Sequence, residues 1–164
     1  MKITTDVFNE AYSSFAKEIF NVAYGYLRNK DDAIDIVQNV FLKLLSTKEE
    51  FNTLLNIKYY LIRLTINECI NFLKSKNYKM VILNNEIIMS TPQINNDDEL
   101  VKIADAVMLL PDKYKKVIIL HYYDSMKIKE IAKVLKISES AVKKRLERAR
   151  TFMKEIIERS DLKW

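Results

Sequence analysis

The sequence predicts an all-α protein of two small helical domains joined by a linker, and three observations carry that expectation. Helix breakers are scarce: 164 residues contain one glycine, Gly25, and two prolines, Pro92 and Pro111, too few for a turn-rich β fold. Apolar residues recur at spacings of three and four through residues 6–27, 31–46, 56–76, 99–110, 112–123, 127–135 and 138–159, which reads as about seven helices. Between Asn77 and Asp98, by contrast, Asn84, Asn85, Ser90, Thr91, Pro92, Asn95 and Asn96 break any long period.

That break divides the chain into an N-terminal domain, residues 1–79, a linker, 80–98, and a C-terminal domain, 99–164. The linker is apolar for its position, with Val81, Ile82, Leu83, Ile87, Ile88 and Met89. Free solvated coil is a poor fit, so it either packs back on a domain or threads through a partner. Asp31, Asn56, Ser125 and Ser138 are suited to cap helices or to form the turns before them.

A composition of 49% apolar and 30% charged residues is that of a folded soluble protein. The one cysteine, Cys69, has no partner for an intrachain disulfide; it suits a reducing cytoplasm and reads as a small buried hydrophobe. No stretch approaches the roughly 20 apolar residues of a membrane span, and the N-terminus carries Asp6 and Glu10 instead of a signal sequence. A cytoplasmic protein with no membrane insertion is expected. The net charge is +5, unevenly spread: residues 1–57 hold 6 basic and 8 acidic side chains, residues 58–79 hold 5 and 1, and residues 99–164 hold 16 and 10. Two basic zones behind an acidic front suit a chain that meets a polyanion in two places.

The second basic zone ends in "KEIAKVLKISESAVKKRLERAR", residues 129–150. Ile128, Ile131, Ala132 and Leu135 make one apolar stripe; Val142, Leu146, Ala149, Met153 and Ile156 make another, with Arg145 and Arg150 flanking it. Lys136, Ile137 and Ser138 form the break between them, and Ser138 is placed to cap the next helix. Ser140, Lys143, Lys144, Glu147, Arg148 and Thr151 lie opposite the stripe. Two such helices form a helix-turn-helix, whose second helix enters the major groove. There lysine and arginine meet guanine acceptors or phosphates, and Glu147 accepts from a cytosine amino group. The competing reading is a solvated face with pairs such as Lys143 to Glu147.

From Leu110 to Arg150 the chain resembles region 4 of the sigma-70 family of bacterial transcription initiation factors, and more narrowly the short two-domain factors of its extracytoplasmic-function (ECF) group. The matching residues are Leu110-Pro111, Glu130-Ile131-Ala132, Leu135, Ile137-Ser138, Val142, Arg145-Leu146 and Arg148-Ala149-Arg150. Lys136 stands where the family usually has a turn glycine, so a left-handed conformation is expected of it. Ala141 and Lys144 replace the usual threonine and serine. The resemblance implies that this domain reads the −35 promoter element, through Ser138, Ser140, Lys143, Lys144, Glu147 and Arg148.

In "NKDDAIDIVQNVFLKLL", residues 29–45, the core stripe is Ala33, Val37, Val40, Phe41 and Leu44, and Asp35, Gln38, Asn39 and Leu42 lie outside. An outward leucine framed by a carboxylate and two amides reads as a small docking patch. Asp31, Ala33, Asp35, Val37, Gln38, Phe41 and Leu44 fit in order the D-x-A-x-D-x-V-Q-x-x-F-x-x-L pattern of region 2 of the same factors. The resemblance implies that Asp35, Gln38, Asn39 and Leu42 bind the clamp coiled coil of core RNA polymerase, while Phe41 holds the helix to its own domain.

Residues 56–79 interleave aromatics, amides and cations, a mixture suited to melted DNA and equally to a helix edge with snorkelling lysines. This segment resembles the family's −10 reading region, with Tyr60 near its usual tryptophan and Asn67 at its usual asparagine. Asn71 and Lys74 stand where aspartate and arginine are common. By that likeness Lys58, Tyr60, Arg63, Asn67, Asn71 and Lys74 meet the −10 element, with the loop from Phe51 to Lys58 selecting a displaced base.

The function so implied is a dissociable, non-enzymatic subunit that binds core polymerase at clamp and flap, recognises a two-part promoter and helps melt it. An inhibitory anti-sigma factor is a further partner that the likeness suggests. A stand-alone helix-turn-helix regulator is the alternative, and it would leave residues 31–45 unexplained. A small-ligand enzyme has no site here: His121 is the one histidine, without a ligand set, and reads as packing or capping. A glycine-rich phosphate cradle needs more than one glycine. No cofactor and no metal are expected.

Overall fold

The computed structural model describes the backbone of residues 1–83 and 98–161 and the side chains of residues 1–75 and 103–159. The seven described helices are α1 (Thr5–Leu27), α2 (Lys30–Ser46), α3 (Leu54–Leu83), α4 (Asp98–Leu109), α5 (Asp112–Tyr122), α6 (Ile128–Leu135) and α7 (Glu139–Asp161). The first three form an N-terminal bundle in which α1 packs along both α2 and α3; α4 to α7 form the second unit, with α7 packed on α4, α5 and α6.

Local chemistry sets most helix ends. The Thr4 hydroxyl accepts from the Val7 amide at 3.2 Å and starts α1. Arg28 closes it in a left-handed conformation, φ 53°, with its N–H on the Tyr24 carbonyl. The α2 cap is Asn29, whose side chain accepts from Asp32 N at 3.0 Å, so Asp31 falls inside the first turn. Thr53 accepts from Asn56 N at 3.1 Å and starts α3, which places Asn56 within the helix. In both cases the capping oxygen sits three residues before the amide it satisfies, the reach a short side chain has at an N-terminus. Ser138 does cap α7, accepting from Ala141 N at 3.0 Å, and Ser125 occupies a left-handed turn, φ 56°.

Periodicity placed the end of α3 near residue 76, but the helix continues to Leu83. Nothing between Asn77 and Leu83 is a glycine or proline, and elongating a formed helix needs no new nucleus. The rest of the expected linker lies outside the described residues, as does the question of whether its apolar side chains pack back or engage a partner.

The bundle core contains Ile19, Leu44, Ile57, Leu61 and Ile62, all fully buried, each stabilising the fold by roughly 1.5–3 kcal/mol. All five expected stripe residues of α2, Ala33, Val37, Val40, Phe41 and Leu44, are buried. Phe41 sits edge-on to Tyr12 and Phe8 of α1, at centroid distances of 4.9 and 6.0 Å. Cys69 is buried as well, and burial foremost pushes its thiol up to about 12. In the second unit Val142, Leu146 and Ala149 are buried, and Met153 and Ile156 are partly buried against the same core.

Candidate nucleic-acid interface

The turn between α6 and α7 follows from one backbone conformation. Lys136 adopts φ 57°, ψ 44°, its N–H bonded to the Ala132 carbonyl, and the Ile137 amide also reaches that carbonyl at 3.1 Å. This is a helix-ending left-handed cap of the kind glycine usually supplies; on lysine it costs about 1–2 kcal/mol. Behind it, His121 donates through Nδ1 to the Met126 carbonyl at 3.0 Å and closes the loop before α6, a capping role.

On α7, Ser138, Ser140, Lys143, Lys144, Glu147 and Arg148 are all exposed, on the side opposite the buried Val142, Leu146 and Ala149. The face is therefore free of the protein's own core. Arg148 donates to the Tyr114 hydroxyl and foremost holds that phenol below its usual value. Arg150, outside this set, donates through Nε to the Tyr122 hydroxyl at 3.0 Å.

Along the N-terminal bundle, Asp35, Gln38, Asn39 and Leu42 are exposed on the outer face of α2. Leu42 is 61% exposed, and Leu45, one turn on, is 51% exposed. The apolar patch is thus wider than one leucine. Of the −10 candidates, Asn67, Asn71 and Lys74 are exposed, while Tyr60 is half-buried, edge-on to Phe51 at 5.2 Å.

Lys58 and Arg63 are placed differently. The Lys58 side chain is only 13% exposed, paired with Glu18 at 3.0 Å and within 4.0 Å of Glu130 on α6. Burial works against its ammonium, but a hydrogen bond to Glu18 and the carboxylates of Glu18, Glu130 and Asp124 outweigh it and hold the group above its ordinary value. Arg63 donates through Nη1 to the Val134 carbonyl of α6 at 3.3 Å. Both are named in the sequence as −10 candidates, and a helical period carries no information about which distant element covers them.

Asp124, in the α5–α6 loop, is the third carboxylate of this cluster. One of its oxygens is buried with no hydrogen-bond partner among the described residues. Burial first, then the Glu18 charge, push its carboxyl up to about 7, against the pull of Lys58 and a hydrogen bond from Asn21. The folded carboxyl thus holds its proton above the unfolded value of 3.8, so stability falls as pH rises between the two. Asp124→Asn is expected to raise Tm at pH 8 by about 2–4 °C, roughly 1 kcal/mol once solvent screening of this partly exposed group is allowed for. The gain should shrink as pH falls from 7 and vanish toward pH 3, below the unfolded value, where the carboxyl is mostly protonated in both states; thermal melts at pH 8 and pH 3 check it.

A second feature went unforeseen. Ile103, Val107, Ile118, Tyr122, Met153 and Ile157 line an apolar groove of about 780 Å³ among α4, α5 and α7. Ile103 and Tyr122 are exposed there. Its only sequence signal is that α4 carries more apolar positions than one buried face needs. Among the described residues no group of His, Cys, Asp and Glu could hold a metal, and no helix is long and apolar enough to cross a membrane.

A helix-turn-helix with a bare basic face, joined to a three-helix bundle, defines a two-domain protein of the helix-turn-helix DNA-binding class. The family model "Sigma-70 region 2" matches residues 11–78 and "Sigma-70, region 4" matches residues 100–153. The chain is 31% identical over 147 residues to the RNA polymerase sigma factor SigV of Bacillus subtilis, covering 89% of this chain and 88% of that one. It is 27% identical to the ECF sigma factor SigW of the same organism, over 88% and 86% of the two chains. Two solved structures share the fold at 19% identity. One is the sigma factor RpoE of Bartonella quintana with the anti-sigma factor NepR, with a TM-score of 0.64 over 92% of this chain and 96% of that one; the other is CnrH with the cytosolic domain of CnrY, with a TM-score of 0.69 over 94% and 90%. The chain belongs to the sigma-70 family, in its ECF group. Sigma factors are non-enzymatic initiation factors that bind core RNA polymerase and promoter DNA.

Proposed function

We propose that this protein directs core RNA polymerase to a two-part promoter, with α7 reading the −35 duplex and α3 with the loop before it reading and helping to melt the −10 element. The observation that carries the reading is the α7 face, on which six polar side chains, four of them charged, stand clear of the core. In the family's docking mode such a helix lies in the major groove, phosphate contacts setting register and a few base contacts setting sequence. Asp35, Gln38, Asn39 and Leu42 form the clamp contact. Leu45 beside Leu42 supports that assignment, because paired exposed leucines favour docking over mere solubility.

The apolar groove of the second domain suits the apolar face of a partner helix. The polymerase flap and an anti-sigma factor are the partners that membership in this family suggests for it. The test of the whole reading is transcription in vitro with sigma-free core polymerase and fragmented genomic DNA, followed by sequencing of RNA 5′ ends. Start sites sharing one −35-like and one −10-like element are expected. Silence with active core, together with a footprint of the protein alone on a symmetric duplex site, would instead favour a stand-alone regulator.

A further inference from the structure

Apart from Phe51, the loop between α2 and α3 is polar: Thr47, Lys48, Glu49, Glu50, Asn52 and Thr53. Its ends are tied locally, Thr47 Oγ1 accepting from the Glu49 amide at 3.2 Å and Thr53 capping α3. Its middle is tied to another part of the chain. The Phe51 amide donates to the Met1 carbonyl at 3.1 Å, and the Met1 N–H donates back to the Phe51 carbonyl. Two residues that exchange both main-chain bonds form the hydrogen-bonded pair of an antiparallel ribbon, here joining positions 50 residues apart. Apolar groups anchor both sides of the pair. Phe51 is buried with its ring edge-on to Tyr60, and Ile3 packs, partly buried, on the bundle core. The Thr4 amide then turns back to the Lys2 carbonyl at 3.0 Å, and Thr4 caps α1.

What this tie decides is direction. With the Phe51 ring turned inward and its backbone held by Met1, the flanking Glu49, Glu50 and Asn52 are exposed. They share one cleft with Asn56, Tyr59 and Arg63, so the loop and the −10 candidates of α3 make a single surface. Carboxylates and amides gain little from phosphates; their chemistry suits base edges, where a carboxylate accepts from an exocyclic amino group. Choosing between bases needs such groups held to within about 0.5 Å of their working positions, and a polar loop fixed only at its ends does not provide that.

We infer that residues 1–3 are a positioning element of promoter selection: paired with Phe51 and anchored by Ile3, they hold the loop of residues 47–53 in the orientation that presents Glu50 and Asn52 to a −10 base. The inference rests on the −10 assignment proposed above. Residues outside every promoter-reading motif thus set how accurately one base is chosen, without touching DNA themselves.

The test uses the full chain carrying Ile3→Asp, which withdraws the apolar anchor, with Ile3→Val as the conservative control. Amide exchange of Phe51, followed by NMR, reports on the tie itself: it is expected to be about tenfold faster in Ile3→Asp than in wild type and unchanged in Ile3→Val. Holoenzyme is then assayed on promoters carrying each base in turn at every −10 position. Wild type is expected to reject a wrong base roughly tenfold or more at the position the loop reads. Ile3→Asp should lower that ratio about fivefold, with affinity for core polymerase and base dependence at −35 unchanged, and Ile3→Val should keep it. A chain trimmed to begin at Thr4, which removes the pairing partner and keeps the α1 cap, should behave as Ile3→Asp and replaces it if that variant does not fold. Wild-type selectivity in a chain whose Phe51 amide exchanges freely overturns the positioning role, as does a Phe51 amide that neither change affects, or an equal loss at −10 and −35. Glu50→Gln with Asn52→Ala reports on the −10 assignment separately. If this pair leaves selectivity untouched, that assignment fails and the positioning role with it; if it alters selectivity while loss of residues 1–3 does not, only the positioning role falls.

Discussion

Leu42→Arg is expected to abolish binding to core RNA polymerase while leaving the fold intact. The side chain is 61% exposed, so arginine replaces it without opening a cavity, and an exposed change of this kind shifts stability within about 0.5 kcal/mol. At an interface the effect is different. A leucine at the centre of a small patch becomes fully desolvated on docking, and truncating such an anchor costs about 2 kcal/mol or more, close to a thirtyfold loss of affinity. Arginine adds the cost of burying an unpaired charge. Affinity capture on core polymerase, with circular dichroism and thermal melting as fold controls, checks the outcome. Wild-type affinity in a folded variant would remove α2 from the polymerase contact.

Lys144→Ala has the second large effect, on promoter recognition. Lys144 is exposed within the first two turns of α7, the part of a recognition helix nearest base edges. Contact with a guanine gives a loss of about 1–3 kcal/mol, roughly ten- to hundredfold, confined to promoters carrying that base. A phosphate contact gives a uniform loss across sequences and a salt dependence shallower by about one unit. Band shifts of holoenzyme on promoter variants at several salt concentrations separate the two. Binding that changes in neither respect would take Lys144 out of the −35 interface.

The faces of individual helices were legible in the sequence because each is a local, periodic property. Ala33, Val37, Val40, Phe41 and Leu44 are buried as their spacing requires, and a left-handed Lys136 follows from a helix that must stop there without a glycine. The capping residues were harder to place. Asn29 and Asp31 are both good caps by type, and Thr53 competes with Asn56, so the choice depends on where the first helical turn closes, not on composition. The end of α3 was missed for a related reason: asparagines lower helix propensity by only tenths of a kcal/mol each, which a growing helix tolerates.

The candidate site divides along the same line. By itself the sequence determined the helical class, the division into two helical domains, the core stripes of α2, α6 and α7 and the bare faces of α2 and α7, because helical geometry maps residue spacing directly onto direction. Only the tertiary structure decided that Lys58 and Arg63 lie against α6, that Asp124 sits among three other charged groups, and that Gly25 meets Ile119 and Tyr123. Those contacts join residues about 70 to 110 positions apart, and no period within a helix encodes which distant surface will close over it.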